Sequence, residues 1–551
     1  MIYLGISAFY HDAAACLVKD GVVIAAAEEE RFTGVKHDMS FPVNAIDYVL
    51  HNTQKKIEDV DFVCWYEDPE LKKNRVIKNF NKYPIRTLFT RLKFLKEFKN
   101  NDPLKLLDNL GFYGPVYFGE HHNSHAAYSY FTSKYKDAAI LTIDGVGEDK
   151  TVTISLGLGD SIEEKLSIDF PNSLGMLYST VTAYLGFKPN EGEYKVMGLA
   201  PYGDPSKYFD KLDKIFTRTS NKFWINQRYF PWEYSDRMMF NRKFCRLLGI
   251  PPRLPEEKLT QEHKDLAAAL QKIYEREFLR LVKTAKHLTN SNNLCLGGGC
   301  AYNGVANSKA YKYFKSIHIP PAPSDAGSAI GACLYFYNGN RKVNNSPYLG
   351  PEFSNSSIKV TLDKYDNSIK YFKLKTETLL NKTAELLAAQ KIVAWFQGRM
   401  EFGARALGNR SILASAKHAE MREKLNYVIK KREGFRPFAP SVVADQASKY
   451  FDINEEVPYM NQVVKAKTNR FPAATHIDGT CRVQTVTEKQ NYLYYHLLSK
   501  VGALEGAPVL LNTSFNLKDQ TITISPDQAI KRFLNSKIDV LVINKYLIFK
   551  K

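Results

Sequence analysis

The chain has no apolar run approaching the roughly 18 to 20 residues that a membrane-spanning helix needs, so its 551 residues are expected to hold no transmembrane segment. It has no Cys-x-x-Cys pair, and its seven cysteines (Cys16, Cys64, Cys245, Cys295, Cys300, Cys333, Cys481) are odd in number and scattered. That pattern indicates neither a disulfide framework nor a thiolate zinc site, and a reducing cytoplasm is the expected compartment. The opening Met-Ile-Tyr-Leu-Gly-Ile-Ser lacks the basic region and longer apolar segment of a secretory signal and reads as a strand. No internal repeat is evident. No RNA- or DNA-binding module is visible either, so a nucleic-acid partner is not expected.

What is present fits a water-soluble α/β protein: 44% hydrophobic residues, 24% charged, and a length that calls for two or three domains. The formal charge of +18 favours anionic partners without choosing among them. Much of the excess lies between Lys72 and Lys99. There Ile85, Leu88, Phe89, Leu92, Leu95 and Phe98 recur at helical spacing, with Arg86, Arg91, Lys93 and Lys96 between them. The expectation is a packed helix with a basic outer face; contact with an anionic membrane or a partner is the open alternative.

Strands are expected over Tyr3–Ser7, Ala13–Val18 and Val22–Ala27, the last two joined by a tight turn at Lys19-Asp20-Gly21. Further strands are expected over Ala138–Ile143, Thr151–Gly157, Asn293–Leu296 and Ile392–Phe396, with helices over Asp265–Ala285 and Thr376–Gln390. The polar, Asn/Gly/Pro-rich stretch from 338 to 352 reads as a connector. The division expected is a first domain over 1–345, a linker over 346–375 and a second domain over 376–551.

Four groupings carry candidate chemistry. His121 and His125 are four apart in an Ala-rich segment, which on a helix aims both imidazoles at one ion. Asp144 closes a strand and Asp325 opens a turn; with two histidines they suit a divalent ion such as iron, manganese or zinc. Gly297-Gly298-Gly299 follows a strand, a setting that can turn backbone N–H groups toward phosphate. Lys195 sits in a Gly-rich run and His11 follows the first strand, as a candidate general base or a structural residue. Finally, Arg399, Arg405, Arg410, Lys430, Lys431, Arg432 and Arg436 stand among small residues. With Gly398, Gly403 and Gly408 bringing backbone close, they point to a multiply charged anion.

The joint motifs carry a family resemblance that runs nearly end to end. They are Gly5–Ala14, Glu28–Phe32, His121-x-x-x-His125, Ile143–Gly145, Tyr194–Gly203, Gly297–Asn303 and Ser324–Gly327, then Glu401–Ser411, Arg436–Ser441, Thr475–Thr480 and Leu511–Asn516. Together they resemble the O-carbamoyltransferases of antibiotic and nodulation-factor biosynthesis. The resemblance implies an α/β fold with an N-terminal actin-like (ASKHA) domain and a C-terminal YrdC-like domain. The latter would join carbamoyl phosphate and ATP as carbamoyl adenylate; the former would pass the carbamoyl group to a hydroxyl of a sugar or small-molecule acceptor. By position, His121, His125, Asp144 and Asp325 look like iron ligands, Fe(II) or another divalent metal being the implied cofactor. Mg(II) is a candidate companion of the ATP. Gly297, Gly298, Gly299 and Asn303 look like part of the adenosine pocket. Arg405, Arg410, Lys430, Arg432, Arg436, Ser514 and Asn516 look like the carbamoyl phosphate and ATP site. Lys195 is a further catalytic candidate, and His11 looks like the residue beside the acceptor hydroxyl. Such an adenylate hydrolyses easily, so passage between enclosed sites is expected to protect it.

One departure is Ala404, where the family usually has Pro; a freer turn with retained activity is expected. The acceptor cannot be read, and a homodimer is left open. A tRNA-modifying threonylcarbamoyl transferase is the main alternative, but its transfer subunit lacks a linked C-terminal segment. The hydrogenase-maturation relative carries zinc-finger cysteines and an acylphosphatase domain absent here. A nucleotide-binding protein without transfer activity would not need every ligand and arginine to be present.

Overall fold

The computed structural model describes residues 1–235, 237–339, 341 and 345–551; the side chain of Phe89 is outside that description, as are residues 340 and 342–344 of the expected connector. The chain forms two compact units, one of residues 1–24 and 39–345, the other of residues 25–38 and 346–551. Among the described residues no helix is long and apolar enough to cross a membrane.

The first unit is built on two five-stranded sheets. The first contains β1 (Ile2–Ser7), β2 (Ala14–Lys19), β3 (Val22–Glu28), β4 (Phe62–Trp65) and β5 (Val116–Phe118), in the order β3–β2–β1–β4–β5. The second contains β6 (Asp137–Ile143), β7 (Lys150–Leu158), β8 (Ser161–Asp169), β9 (Asn293–Gly297) and β10 (Ser316–His318), in the order β10–β9–β6–β7–β8. In each sheet the first strand pairs antiparallel with the second and parallel with the fourth. The two sheets therefore repeat one topology, 3–2–1–4–5. This is the duplicated α/β pattern of the expected actin-like domain; the duplication is in topology, while no internal repeat is evident in the sequence.

A helix follows the fifth strand of each sheet: α1 (His121–Phe131) after β5, and α4 (Asp325–Phe336) after β10, with α2 (Leu174–Tyr184) and α3 (Gln261–Thr289) between them in the chain. Both α1 and α4 are buried almost all round, which is why Ala, Ser and Gly fill them: only small side chains allow close helix crossings in a packed core. At the crossing a Cβ on Gly331 would stand 1.8 Å from the Ser124 carbonyl oxygen, so glycine there sets the separation of the two helices.

In the second unit, β11 (Ile369–Lys373), β12 (Val393–Phe396), β13 (Arg410–Ser415), β14 (Ala439–Val443), β15 (Gln484–Val486), β16 (Val509–Ser514), β17 (Val540–Ile543) and β18 (Tyr546–Lys550) form one mixed sheet. Its order is β11–β18–β17–β12–β13–β16–β14–β15. Alternate residues feed opposite cores: Ala394, Phe396 and Ile412 belong to one, Val393, Trp395 and Leu413 to the other. On the first side pack Ile358 and Leu362 of α5 (Asn355–Asp363) and Ile530 and Phe533 of α8 (Pro526–Leu534). On the second pack Leu379 and Leu380 of α6 (Thr376–Ala388) and Leu497 and Leu498 of α7 (Tyr492–Glu505). The expected linker over 346–375 is thus corrected. Ser354 caps α5 by accepting from the Ser357 amide, and Ile369–Lys373 pairs with β18 as an edge strand.

Candidate active site

The duplicated topology brings four potential metal ligands together in the first unit. Asp144 immediately follows β6, the first strand of its sheet; His121 and His125 lie on α1, and Asp325 opens α4. The Nε2 atoms of His121 and His125 lie 3.1 and 2.9 Å from one oxygen of Asp144 and 3.1 Å from each other. They lie 3.7 and 3.4 Å from Oδ1 of Asp325. All four residues are buried, and their donor atoms fall within 4.8 Å of one another. Among the described residues neither oxygen of Asp325 has a hydrogen-bond partner, nor does Nδ1 of His121. Two imidazole nitrogens and two carboxylates converging with unmet lone pairs are a donor set that fits a divalent transition ion. Ser328 lies 2.9 Å from Nδ1 of His125 and so fixes which nitrogen faces inward. The backbone N–H of His121 donates to the buried Glu148 carboxylate, which also accepts from Asp68 N–H. Glu148 is a brace that the sequence reading did not single out.

Electrostatics at the cluster follow from burial and proximity. Burial opposes a charged imidazole at His125, but the hydrogen bond to Asp144 and the nearby Asp325 carboxylate hold its pKa up at about 9. Burial likewise opposes the Asp144 carboxylate, yet the two histidines hold it well below the usual carboxylate range. A divalent ion would replace the proton that now offsets these charges.

His11 joins the same cluster, on the loop after β1. Its Nδ1 is 3.0 Å from Asp12 Oδ2 and its Nε2 is 3.7 Å from Asp325 Oδ2. The loop is tightly wound: Phe9 and Asp12, neither of them glycine, have φ of 69° and 53°. Burial works against a charge on His11, but Asp325 and Asp12 raise its pKa to about 10.

The glycine turn is also here. Gly298 has φ of 84°, and a Cβ on it would meet the Ile143 carbonyl oxygen at 2.2 Å; one on Gly299 would stand 3.1 Å from Asp144 Oδ1. A Cβ on Gly297 would stand 3.0 Å from the His125 carbonyl oxygen. The turn therefore abuts the ligand cluster itself. Asn303 caps the next helical turn through Ala306 N–H and exchanges amide hydrogen bonds with Gln271 of α3, whose own carbonyl accepts from Tyr178. Lys195, on the short helix Glu193–Leu199, has its ammonium 5.4 Å from the centre of the Phe187 ring.

In the second unit the expected anion residues divide into two kinds. Arg410 is completely buried and donates to the carbonyls of Gln397, Asn409, Pro351 and Gly398, its guanidinium 3.6 Å from the centre of the Phe396 ring. It is a strut for the Gly398 turn, which corrects the expectation that it grips substrate. Arg399 similarly donates to the Leu349 carbonyl. The glycine loop is braced from within: Glu401 Oε1 accepts from the backbone of Leu407, Asn409 and Arg410. Gly408 has φ of 107°, and a Cβ there would strike the Tyr494 ring at 2.3 Å. Its lack of a side chain serves packing, so the inference of close backbone approach to a ligand is corrected at that position. Arg405 is half-buried in this loop, and Ala404 beside it is exposed.

Lys430, Ser514 and Asn516 do come together. The buried Lys430 ammonium donates to the carbonyls of Ser514 and Asn516 and to the Asn516 side chain, which also accepts from Ser514 Oγ. Burial lowers the Lys430 pKa well below its ordinary value, and the positive charges of Arg432, Arg436, Arg532 and Lys36 lower it further. Arg432 donates to Asn426 and Arg436 to Glu433. Two cations here were missed by the sequence reading. Arg532 donates to Thr521 and Thr523, and burial together with Arg31 brings its pKa down to about 10. Lys36 arrives on the 25–38 segment, which no local pattern links to a domain starting after residue 345. Arg31, on the same segment, is held by Glu28 and donates to the Gly403 carbonyl.

Residues 2–334 match the family model described as the carbamoyltransferase N-terminus, and residues 384–550 match the carbamoyltransferase C-terminus. The chain is 40% identical to the uncharacterized protein sll1178 of Synechocystis sp., over 99% of this chain and 96% of that one. It is 35% identical to the nodulation protein NolNO of Sinorhizobium fredii, over 98% and 79% respectively. It is 34% identical to the nodulation protein NolO of Bradyrhizobium diazoefficiens, over 78% and 79%.

Proposed function

Because the chain belongs to the carbamoyltransferase family, we propose that it is an ATP-dependent O-carbamoyltransferase working in two steps. In the second unit, read as YrdC-like, water cleaves carbamoyl phosphate to carbamate and phosphate. The carbamate oxygen then attacks the α-phosphorus of ATP, forming carbamoyl adenylate and displacing pyrophosphate. In the first unit the carbamoyl group moves to an acceptor hydroxyl and AMP leaves. The observation that supports this best is the turn Gly297–Gly299 lying against Asp144, which sets a phosphate-binding backbone beside a four-donor cation site. A divalent ion held by His121, His125, Asp144 and Asp325 would draw charge from the departing phosphate. Lys430, Arg432, Arg436 and Arg532 supply the field that two polyanionic substrates need. Arg405, on the braced loop, is the side chain assigned to the reacting groups of the first step. Asn303 orients the nucleotide turn, and Lys195 is kept as a phosphate or carbamoyl contact.

His11 is assigned to take the acceptor hydroxyl's proton at Nε2, with Asp12 holding Nδ1. With a pKa of about 10 it is an imidazolium while Asp325 keeps its full charge. A divalent ion bound at Asp325 would weaken that hold and favour the neutral imidazole that a base needs.

The test is single-turnover assay of two variants with ATP, carbamoyl phosphate and Fe(II). Arg405→Ala should abolish pyrophosphate release. His11→Asn should release pyrophosphate and fail to transfer to any hydroxylated acceptor. If both variants lose the same step, the division of labour is wrong.

A further inference from the structure

The connection between β4 and β5 carries two consecutive helices, Pro69–Lys82 and Leu88–Asn100. The sequence favours a packed second helix with a basic outer face; the structure keeps the basic face but leaves the expected packing positions Ile85, Leu88, Leu92 and Leu95 exposed. Among its described apolar side chains, Phe94 and Phe98 are the half-buried ones, Phe94 meeting Phe80 of the preceding helix edge-on at 5.8 Å and Phe98 at 5.3 Å. Leu88, Leu92 and Leu95, at helical spacing on another face, are 58%, 67% and 47% exposed, and Ile85 in the preceding turn is 92% exposed.

Arg86, Arg91, Lys93, Lys96 and Lys99, all exposed, flank this stripe. From Lys72 to Lys99 there are ten lysines and arginines against one acidic residue, Glu97, so this stretch carries half of the formal charge of +18. The turn between the helices is pinned: Lys82 and Tyr83 bond Glu233, and Arg86 lies over the Tyr234 ring. At the other end Lys72 pairs with Glu67 and stands 5.5 Å from the centre of the Tyr10 ring, next to His11. The stripe is thus displayed on an anchored platform rooted beside the His11 loop.

An apolar stripe bordered by cations on an exposed helix matches a bilayer interface, where acyl chains meet anionic headgroups. The charge alone would fit nucleic acid, but leucines would then be left against phosphate and water. A second copy meeting the same face would set one dense positive field against another. We propose that the face of Leu88–Asn100 bearing Leu88, Leu92 and Leu95 docks this protein onto an anionic membrane surface, the helix lying in the interface plane. The surface stands independently of the assignment of the catalytic steps.

The test is flotation of the full chain with vesicles of phosphatidylcholine alone and of phosphatidylcholine mixed with phosphatidylglycerol, at low and high salt. Binding is expected to the mixed vesicles only, and to weaken as salt rises. The triple substitutions L88Q/L92Q/L95Q and R91Q/K93Q/K96Q should each weaken it by at least roughly tenfold, with thermal unfolding and pyrophosphate release unchanged. No binding to mixed vesicles at low salt overturns the proposal without any variant. Full binding by the leucine variant overturns the interfacial helix. Polyglutamate competing as strongly as the vesicles points to an acidic polypeptide instead. Conversion of a dimer to a monomer by the leucine variant points to a second copy.

Discussion

His121, His122 and His125 share one buried helix of eleven residues and meet three different surroundings. His121 and His125 turn inward to Asp144, one helical turn apart. His122 points away to Thr153 Oγ1 at 3.2 Å, and burial with its two histidine neighbours pushes its pKa well down. Replacing His125 by Ala should therefore remove bound divalent metal, measured by elemental analysis of protein reconstituted with Fe(II) or Mn(II). His122→Gln should keep the metal while losing about 1–2 kcal/mol of stability from a disturbed buried hydrogen bond. Metal retention by His125→Ala would sink the four-ligand reading. In the second unit the same contrast separates Arg410 from Arg405. A lysine at 410 cannot reach four carbonyls in a planar fork, so Arg410→Lys should lower stability by about 3 kcal/mol or more. Arg405→Ala should leave the melting temperature nearly unchanged. Such a split in denaturation curves would show that two arginines of one motif do different work.

At the scale of elements, the site arises from equivalent places in the two repeats. His11 and Asp144 each follow the first strand of a sheet, and His121 and Asp325 each open the helix after the fifth strand. The crossing of those helices sets the distance between His125 and Asp325, and Gly331 permits the crossing. Gly331→Ala should cost about 1–3 kcal/mol through overpacking. It should also weaken metal binding at least roughly tenfold, because a displaced α4 carries Asp325 with it. Calorimetric titration with Mn(II) checks this, and an unchanged affinity would mean that the crossing does not set the site. In the first unit β1, β2, β3, β6, β7, β9 and α3 were legible because their apolar runs are local. Strands β4, β5, β8 and β10 and helix α2 were not singled out, and Asp325 reads in the sequence as opening a turn rather than the helix α4. The duplication was not legible, since topology is shared without sequence periodicity. Nor was the second unit's edge: Ile369–Lys373 alternates weakly and becomes a strand only through Tyr546–Lys550, far along the chain. Among single residues, the four metal-ligand candidates were visible from spacing and motif. Arg532, Lys36 and Glu148 were not, because only the fold brings them to their partners.

At the scale of the whole molecule, each unit holds its own core and its own cluster, and the four metal donors all belong to the first. A ligand that binds only the native state stabilises by an amount set by its concentration over its dissociation constant, about 2.7 kcal/mol at a hundredfold excess. That stabilisation reports first on the openings that break the site. α1, α4 and the Gly297–Gly299 turn supply or abut every donor, so their amides should exchange more slowly when Mn(II) or Fe(II) is added. The strands Val393–Phe396, Arg410–Ser415 and Val509–Ser514 hold no donor, and their exchange should stay as it was. ATP with carbamoyl phosphate should reverse the pattern, slowing exchange around Lys430 and residues 514–516, where the cations converge. Hydrogen-exchange mass spectrometry on the full chain reads both responses in one protein. Metal protection spread evenly over both units, or confined to the second, would contradict a cation site built from His121, His125, Asp144 and Asp325.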